Sequence, residues 1–224
     1  MEKSFSRNIP TISESEQQLL GDRRAAIIGC GGLGGYAVEL LARAGVGKFT
    51  LADGDVFEET NLNRQILSLP ELLGKSKARA AAERIRAINA AAEIRCCEEF
   101  FGEDSADRIL EGADIVIDAL DNIPARLLLE EKCAEKGLWF IHGAVEGFAL
   151  QVCAVSPGSG TLKKLYGGAG VQGSKSVLSP TPAMCASLQC AEALKILCGR
   201  DCALENRLLI GDMRNMDFVT MELG

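Results

Sequence analysis

A glycine-rich loop constrains the fold of this chain more than any other segment. The apolar run RRAAIIG leads into the sequence GCGGLGG, and an apolar helical pattern follows. The loop contains the pattern G-x-G-x-x-G at Gly29, Gly31 and Gly34, with Gly32 between them. Glycine permits a tight turn and lets a phosphate approach the N-terminus of the following helix. The order of strand, glycine turn and helix therefore predicts a nucleotide-binding βαβ unit.

The rest of the chain extends this unit to an α/β fold. KFTLADGD predicts a second strand that ends in acidic residues, and Asp53 follows Gly34 by 19 residues. This spacing suits a carboxylate that accepts hydrogen bonds from ribose hydroxyls. Further strands and helices alternate along the chain. The alternation predicts a Rossmann-like, mostly parallel sheet with helices on both faces and antiparallel strands toward the C-terminus.

Local signals also predict where several elements begin and end. A short helix is expected over SADRILEG, with Ser105 as its start signal. The buried strand ADIVIDALDN is expected to end in Asp121 and Asn122, and Asn122 can cap the next helix. Residues 156–179 are rich in Gly, Ser and Lys, which predicts a mobile loop. An apolar helix should follow this loop and end at Gly199.

Composition and charge exclude several classes of function. The net charge of -7 argues against a broad surface for nucleic acid, so a nucleic-acid partner is not expected. No apolar run reaches the roughly 18 residues that a membrane span requires. The polar N-terminus lacks the apolar segment of a signal peptide. We therefore expect a cytoplasmic protein with no membrane partner.

The residues that accompany the glycine loop distinguish ATP from a dinucleotide. The loop alone fits an NAD-dependent oxidoreductase equally well. The segment TNLNRQ adds an arginine and three side-chain amides, and it consists of Thr60, Asn61, Leu62, Asn63, Arg64 and Gln65. Lys77 lies 13 residues beyond Arg64, and Asp121 and Asn122 belong to the same carboxyl edge of the sheet as the loop. Two cations for phosphate oxygens and a carboxylate for Mg²⁺ suit attack on an α-phosphate, whereas hydride transfer needs no such set.

Four motifs together resemble those of the ThiF/MoeB/HesA family, the bacterial relatives of ubiquitin-activating enzymes. They are GCGGLGG, DGDVFEETNLNRQ, LGKSK and DALDN, and the resemblance extends from about Ser4 to Gly199. It implies an adenylyltransferase that uses ATP and Mg²⁺, releases pyrophosphate and acts as a homodimer. The implied substrate is the C-terminal glycine carboxylate of a ubiquitin-like sulfur carrier protein with a Gly-Gly tail, in thiamine or molybdenum-cofactor sulfur transfer. We accordingly expect an N-terminal arm over residues 1–24 and a single ATP-binding adenylation domain over residues 25–224.

The resemblance also implies roles for individual residues. Asp53 would hold the ribose, Arg64 and Lys77 would contact phosphates, and Asp121 would bind Mg²⁺ with Asn122 beside it. Arg7 would reach the ATP of a partner subunit, and the catalytic set would be Arg64, Lys77, Asp121 and Arg7. The full nucleotide-binding set would be Gly29, Gly31, Gly32, Gly34, Asp53, Asp55, Thr60, Asn61, Leu62, Asn63, Arg64, Gln65, Lys77, Asp121 and Asn122.

Each of these residues also has a purely structural interpretation. Lys77 belongs to a basic cluster with Lys75 and Arg79 and could simply be solvated. Asp121 could serve only as a helix cap, and Arg7 could lie in a disordered arm.

The cysteines and the single histidine mark departures from the family. The chain has nine cysteines but no CxxC pair, so we expect no structural zinc. Cys185, Cys190 and Cys198 fall in an apolar helix and are interpreted as buried hydrophobic residues. A zinc site that joins them to Cys202 would require a break in this helix. The loop over residues 162–179 has no cysteine, which predicts adenylation without a covalent thioester, with sulfur supplied by another protein or by free sulfide. His142 is expected to be half-buried and hydrogen-bonded rather than catalytic.

Three alternative functions stay open at this point. The chain could activate and cyclise a carboxylate on a modified tRNA base, although its acidic charge disfavours this. It could be an NAD-dependent oxidoreductase, which the cation and carboxylate set disfavours. It could also be a silent scaffold that binds a ubiquitin-like protein, but a scaffold has no need for Arg64, Lys77 and Asp121.

Overall fold

The predicted alternation of strands and helices is confirmed by the computed structural model, which describes residues 3–167 and 176–223. The strands are β1 (Arg24–Ile28), β2 (Lys48–Ala52), β3 (Glu93–Cys97), β4 (Ile115–Asp118), β5 (Phe140–Glu146), β6 (Ala149–Val155), β7 (Arg207–Asp212) and β8 (Asp217–Glu222). The α-helices are α1 (Glu14–Asp22), α2 (Gly32–Ala44), α3 (Lys77–Ile88), α4 (Glu103–Leu110), α5 (Ile123–Lys136), α6 (Thr161–Tyr166) and α7 (Pro180–Leu197). Short 3-10 helices cover Lys3–Asn8, Glu59–Asn61 and Pro70–Leu72. Among the helices in these two ranges, none is long and apolar enough to cross a membrane.

The strands form one sheet in the order β3-β2-β1-β4-β5-β6-β7-β8. The five strands from β3 to β5 pair in parallel, and β6, β7 and β8 continue the sheet with antiparallel pairs. The chain runs from β1 outward through β2 and β3, and then returns to the other side of β1 as β4. Open α/β sheets bind ligands at such a reversal, outside the carboxyl ends of the strands. The ends of β1, β2 and β4 are therefore where a site is expected.

Helices cover both faces of the sheet, as the sequence predicts. Side chains alternate along a strand, so Ala25 and Ile27 of β1 face one layer while Ala26 and Ile28 face the other. Helices α2, α3 and α7 pack on the first face, and α4, α5 and α6 pack on the second. The parallel strands are thus buried on both sides, which explains their continuous apolar sequences.

The segment predicted as a polar arm contains the 3-10 helix Lys3–Asn8 and helix α1, and both contact the rest of the domain. Ser13 caps α1 and forms a capping box with Glu16. Leu20 of α1 is fully buried in the core. Asn8 and Gln17 donate hydrogen bonds to the carbonyl of Ala44, at the end of α2. A helix that buries so few apolar side chains has little hydrophobic periodicity, which is why its sequence resembles an arm.

Three predicted boundaries are wrong. Helix α4 begins at Glu103, before Ser105, whose hydroxyl accepts a hydrogen bond from the amide of Gly102 at 3.0 Å. Strand β4 ends at Asp118, so Asp121 lies in the loop before α5. The segment predicted as a mobile loop contains α6, and its residues 168–175 lie outside the described residues.

Candidate active site

The glycine loop brings the end of β1 close to the end of β4. Gly29 has a φ of +95°, and a Cβ at this position would lie 2.5 Å from the carbonyl oxygen of Ala119. A Cβ on Gly34 would lie 1.8 Å from the carbonyl oxygen of Gly29. These contacts leave room only for glycine at both positions. The N-terminus of α2, which begins at Gly32, therefore opens onto the carboxyl edge of the sheet.

Asp53 lies beside this loop with both carboxylate oxygens engaged. It accepts hydrogen bonds from the amide of Cys30 at 2.7 Å and from the amide of Asp55 at 2.8 Å. Burial raises the pKa of Asp53, and the two amides oppose this shift. Each oxygen keeps a further lone pair, so a ribose hydroxyl can still donate to the carboxylate. The role of Asp53 in binding a ribose stays a prediction.

Lys77 is buried and paired rather than solvated on the helix surface. Its Nζ lies 2.9 Å from Oδ2 of Asp55, and its side chain is 9% exposed. The neighbouring Arg79 has a side chain that is 67% exposed, so only one member of the basic cluster points inward. Asp55 is itself half-exposed and thus a weak partner for a buried ammonium group. The arrangement leaves Lys77 able to exchange Asp55 for a phosphate oxygen.

The segment from Thr60 to Gln65 contacts the glycine loop at its C-terminal end, through Gln65. Gln65 is buried, and a Cβ on Gly31 would lie 3.3 Å from its Nε2. Asn61 is buried as well, and its Oδ1 accepts a hydrogen bond from the amide of Glu58. Asn63 donates to the carbonyl of Val177 at 3.1 Å, which fixes the segment near the start of α7.

The remaining residues of this segment face outward. Thr60 and Leu62 are exposed. The Nη1 of Arg64 donates to the carbonyl of Thr60 at 2.8 Å and to Oδ1 of Asn63 at 2.9 Å. Both acceptors are neutral, so an anionic phosphate is a stronger acceptor for this guanidinium group.

The loop after β4 carries an exposed carboxylate. Asp121 is exposed, and its Oδ1 accepts one long hydrogen bond, 3.3 Å, from Nδ2 of Asn122. Asn122 is the cap of α5 and accepts a hydrogen bond from the amide of Ala125, as its sequence position predicts. The capping role therefore belongs to Asn122, which leaves the Asp121 carboxylate available for a hard cation such as Mg²⁺.

The donor chemistry around Asp121 fits a metal ion only if a ligand supplies further oxygens. Within residues 3–167 and 176–223, no group of three or more His, Cys, Asp or Glu side chains could hold a metal ion. Mg²⁺ commonly binds through one or two carboxylates together with substrate phosphates. One carboxylate at this edge is thus sufficient for Mg²⁺ that arrives with a nucleotide.

A buried polar network under the Asp121 loop was missed by sequence reasoning, except for His142. Asp118 is fully buried and accepts a hydrogen bond from the amide of Leu120 at 3.0 Å. Its other oxygen lies 2.7 Å from Nδ1 of His142. Arg126 donates to the carbonyls of Leu120 and Gly143. Two features of the sequence could have indicated this network: Asp118 at the end of an apolar strand, and Arg126 near the start of the next helix.

His142 is more deeply buried than predicted. It is fully buried and hydrogen-bonded, whereas a half-buried position was expected. Burial lowers its pKa, and the hydrogen bond to Asp118 opposes this shift. A neutral, enclosed imidazole fits a structural role better than direct contact with a substrate.

Arg7 is not brought to the site of its own chain. Asn8, the next residue, donates to the carbonyl of Ala44 at 3.2 Å, at the C-terminal end of α2. The glycine loop lies at the N-terminal end of this helix, which has 13 residues. Such a helix is about 20 Å long. Arg7 therefore lies at the far end of α2 from the glycine loop.

The cysteines of the last helix are buried, as the sequence predicts. Cys185, Cys190 and Cys198 are buried, whereas Cys202 is partly exposed. Burial raises the pKa of Cys185 to about 12. A thiol with this pKa is a poor nucleophile at neutral pH.

Comparison with known proteins places the chain among enzymes of one family. The ThiF family model matches residues 5–224. The chain is 33% identical to the SAMP-activating enzyme E1 of Haloferax volcanii over 97% of this chain and 83% of that protein. It is 34% identical to the sulfur carrier protein ThiS adenylyltransferase of Bacillus subtilis over 85% of this chain and 59% of that protein. A crystal structure of E. coli MccB with MccA-N7isoASN has the same fold, with a TM-score of 0.84 and 18% identity over 100% of this chain and 73% of that one.

Proposed function

Because the chain belongs to the ThiF family, we propose that it adenylates the C-terminal glycine carboxylate of a ubiquitin-like sulfur carrier protein. Several of its relatives are named adenylyltransferases, and the chain is accordingly an adenylyltransferase. The proposal adds ATP and Mg²⁺ as the reactants and pyrophosphate as the leaving group. The observation that carries it is the meeting of the glycine loop, Asp53 and the buried Lys77 at one edge of the sheet.

The nucleotide is proposed to lie across this edge. The ribose hydroxyls donate to Asp53, and the phosphates approach the N-terminus of α2 over Gly31 and Gly32. Among the described residues, a Cβ on Gly32 would meet only Pro182, at 3.8 Å, so these residues leave the space above this glycine open. Lys77 and Arg64 then exchange their present partners for phosphate oxygens.

The proposed reaction is a substitution at the α-phosphorus. A carboxylate oxygen of the carrier attacks the phosphorus, and the bond to the bridging oxygen of the β-phosphate breaks. Pyrophosphate leaves with the electron pair of that bond. The carboxylate is already ionised at neutral pH, so no general base is needed. The task of the chain is to neutralise charge on the phosphates, for which Lys77 and Arg64 are suited.

Asp121 is proposed to hold Mg²⁺ that arrives with ATP. When bound, the ion would neutralise phosphate charge. Asp121 would provide the protein ligand because its carboxylate is exposed and, within the part of the chain that the structure describes, carries only the long hydrogen bond from Asn122.

The carrier and the second subunit complete the proposal. The Gly-Gly tail would pass beneath the segment over residues 162–179, of which residues 168–175 lie outside the described part of the chain. The product would be the acyl adenylate itself, since Cys185, the cysteine nearest to this segment, is buried and its thiol pKa is raised. A homodimer is proposed because Arg7 lies at the far end of α2 and can serve only the site of another subunit.

Pyrophosphate exchange tests the proposed function directly. Purified protein, ATP and Mg²⁺ should exchange labelled pyrophosphate into ATP when a carrier ending in Gly-Gly is added. Asp121→Asn should lower the exchange rate by about 100-fold or more, the usual cost of losing one such electrostatic group. The matched control is Asp201→Asn, which changes an exposed aspartate beyond the far end of α7 and should leave exchange intact.

Two results would contradict this proposal. One is exchange that Asp121→Asn leaves unchanged in a folded protein. The other is tighter binding of NAD than of ATP. Activity on a modified tRNA, without activity on any carrier, would instead support the tRNA alternative.

A further inference from the structure

The carboxylate of Asp118 is shared between His142 and the loop that carries Asp121. Both Asp118 and His142 are fully buried, and Oδ2 of Asp118 lies 2.7 Å from Nδ1 of His142. Oδ1 of Asp118 accepts the amide proton of Leu120 at 3.0 Å. Leu120 directly precedes Asp121, so a movement of the Asp118 carboxylate changes the backbone that presents Asp121.

The other nitrogen of His142 contacts the last residue of α6. Nε2 of His142 lies 3.0 Å from Oη of Tyr166 and 3.2 Å from Nε2 of Gln151. The Gln151 amide also donates to Oη of Tyr166, so the phenol proton is free to go to Nε2 of His142. His142 then carries its own proton on Nδ1 and donates it to Asp118. Hydrogen bonds thus connect Tyr166 through His142 to Asp118, whose other carboxylate oxygen accepts the amide proton of Leu120.

The first turn of α6 is tied to the same helix that follows the Asp121 loop. Both carboxylate oxygens of Glu130 in α5 accept amide protons of α6, from Leu162 at 2.7 Å and from Lys163 at 2.9 Å. Glu130 lies one turn after Arg126, which donates to the carbonyl of Leu120 at 2.5 Å. Both ends of α6 are therefore connected, through buried side chains, to the residue before Asp121.

We propose that Tyr166 and His142 are positioning residues that hold the Asp121 loop in its ion-binding geometry and couple it to the position of α6. The inference rests on the proposed role of Asp121 in binding Mg²⁺ with ATP. Neither side chain touches the nucleotide in this arrangement. Partners that orient a metal ligand usually change metal affinity by 10- to 100-fold when they are removed. A partner two steps further away, such as Tyr166, should have a smaller effect.

The test measures how strongly ATP binding depends on Mg²⁺. Tyr166→Phe removes the hydroxyl and keeps the ring that packs edge-on against His142. Calorimetric titration with ATP at a series of Mg²⁺ concentrations should show half-maximal enhancement of binding at roughly 3- to 10-fold more Mg²⁺ than in the wild type. The affinity for ATP without Mg²⁺ should stay unchanged, because Asp53, Arg64 and Lys77 are untouched.

Thr161→Val is the matched control for a general loosening of α6. Its hydroxyl lies at the other end of the helix, 3.0 Å from Oδ1 of Asn206 and 2.8 Å from Ser159, and does not contact His142. This variant leaves the amides of Leu162 and Lys163 bound to Glu130, so it should keep the Mg²⁺ dependence of the wild type. An equal shift in both variants would overturn the proposal, since the effect would then arise from helix stability alone.

A double-mutant cycle with His142→Gln gives a second test of the path. If Tyr166 acts through His142, Tyr166→Phe should add nothing to the Mg²⁺ dependence of His142→Gln. Independent, additive effects would overturn the inference, as would a wild-type Mg²⁺ dependence in folded Tyr166→Phe. These readouts need no carrier, whereas failure of the proposed function would appear as absent pyrophosphate exchange in the wild-type protein.

Discussion

At the scale of single residues, burial makes His142 harder to protonate than a histidine in the unfolded chain. Burial lowers the pKa of His142 below its usual value of 6.5; the Asp118 hydrogen bond and the charge of Glu130 oppose this shift, and the Arg126 guanidinium group reinforces it. Tyr166 and Gln151 complete its surroundings as neutral groups. The folded chain therefore resists protonation at a pH where the unfolded chain accepts a proton.

This difference predicts a loss of stability on mild acidification. The stabilisation is complete above pH 6.5 and decreases as the pH falls below 6.5 toward the lowered pKa of the folded state. The free energy of unfolding should decrease by up to about 1.4 kcal/mol per pH unit in this range. Urea unfolding between about pH 7.5 and pH 5.5 measures the effect, because ordinary carboxylates titrate at lower pH.

His142→Gln provides the comparison for this measurement. The chain has one histidine, so the variant has no side chain with an ordinary pKa in that range. Its free energy of unfolding should be lower than that of the wild type at neutral pH but nearly independent of pH down to about pH 5.5. Equal pH dependence in both proteins would assign the effect to other groups.

Residue identity and spacing predict the nucleotide edge but not the network beneath it. The positions of Asp53 and of the loop glycines are predictable because a nucleotide-binding βαβ unit places these residues at a characteristic separation in the sequence. The contact between Asp118 and His142 joins residues 24 positions apart, and so does the contact between His142 and Tyr166. Such contacts depend on strand order and helix packing, which a single sequence does not specify.

At the scale of elements, the turn between β1 and α2 depends on one close backbone contact. Gly34→Ala would place its Cβ 1.8 Å from the carbonyl oxygen of Gly29, so backbone must move. We expect this variant to lose about 3 kcal/mol of stability, the upper range for an overpacked site. Denaturant unfolding monitored by circular dichroism measures the loss.

Gly32→Ala is the control in the same turn of α2. Within residues 3–167 and 176–223, its Cβ would meet only Pro182, at an ordinary distance of 3.8 Å. Alanine is favoured over glycine in helices by about 1 kcal/mol, so this variant should be as stable as the wild type or slightly more stable. Equal destabilisation by both substitutions would show that the contact with Gly29 does not govern the stability of the turn.

The elements that sequence reasoning missed or misplaced share a physical cause. Helix α6 has six residues, and its first amides are bound by Glu130, more than 30 residues upstream. A serine near the start of a helix can be the N-cap itself or, like Ser105, the third helical residue whose hydroxyl accepts the amide proton of the N-cap. The sequence does not distinguish these two positions, so it predicts a start of α4 that is too late. In contrast, α2 and β1 were predictable because their apolar periods and glycines are local signals.

At the scale of the whole molecule, α2 separates Arg7 from the nucleotide edge of its own subunit. Asn8 is fixed to the C-terminal end of α2, whereas the glycine loop precedes the N-terminal end. The helix is about 20 Å long, so if Arg7 completes a nucleotide site, as we propose, that site belongs to another molecule. A symmetric dimer would then contain two sites, each with Arg7 from the opposite subunit.

Mixed dimers test this arrangement. Arg7→Ala and Asp121→Ala homodimers should both be inactive in pyrophosphate exchange, each for a different reason. A heterodimer of the two variants contains one intact site, because the Arg7→Ala subunit keeps Asp121 and receives Arg7 from its partner. Co-expression with two affinity tags would isolate this heterodimer, which should recover about half of the wild-type activity. If Arg7 instead served its own subunit, both sites of the heterodimer would lack one residue, and its activity would stay at the level of the parent variants.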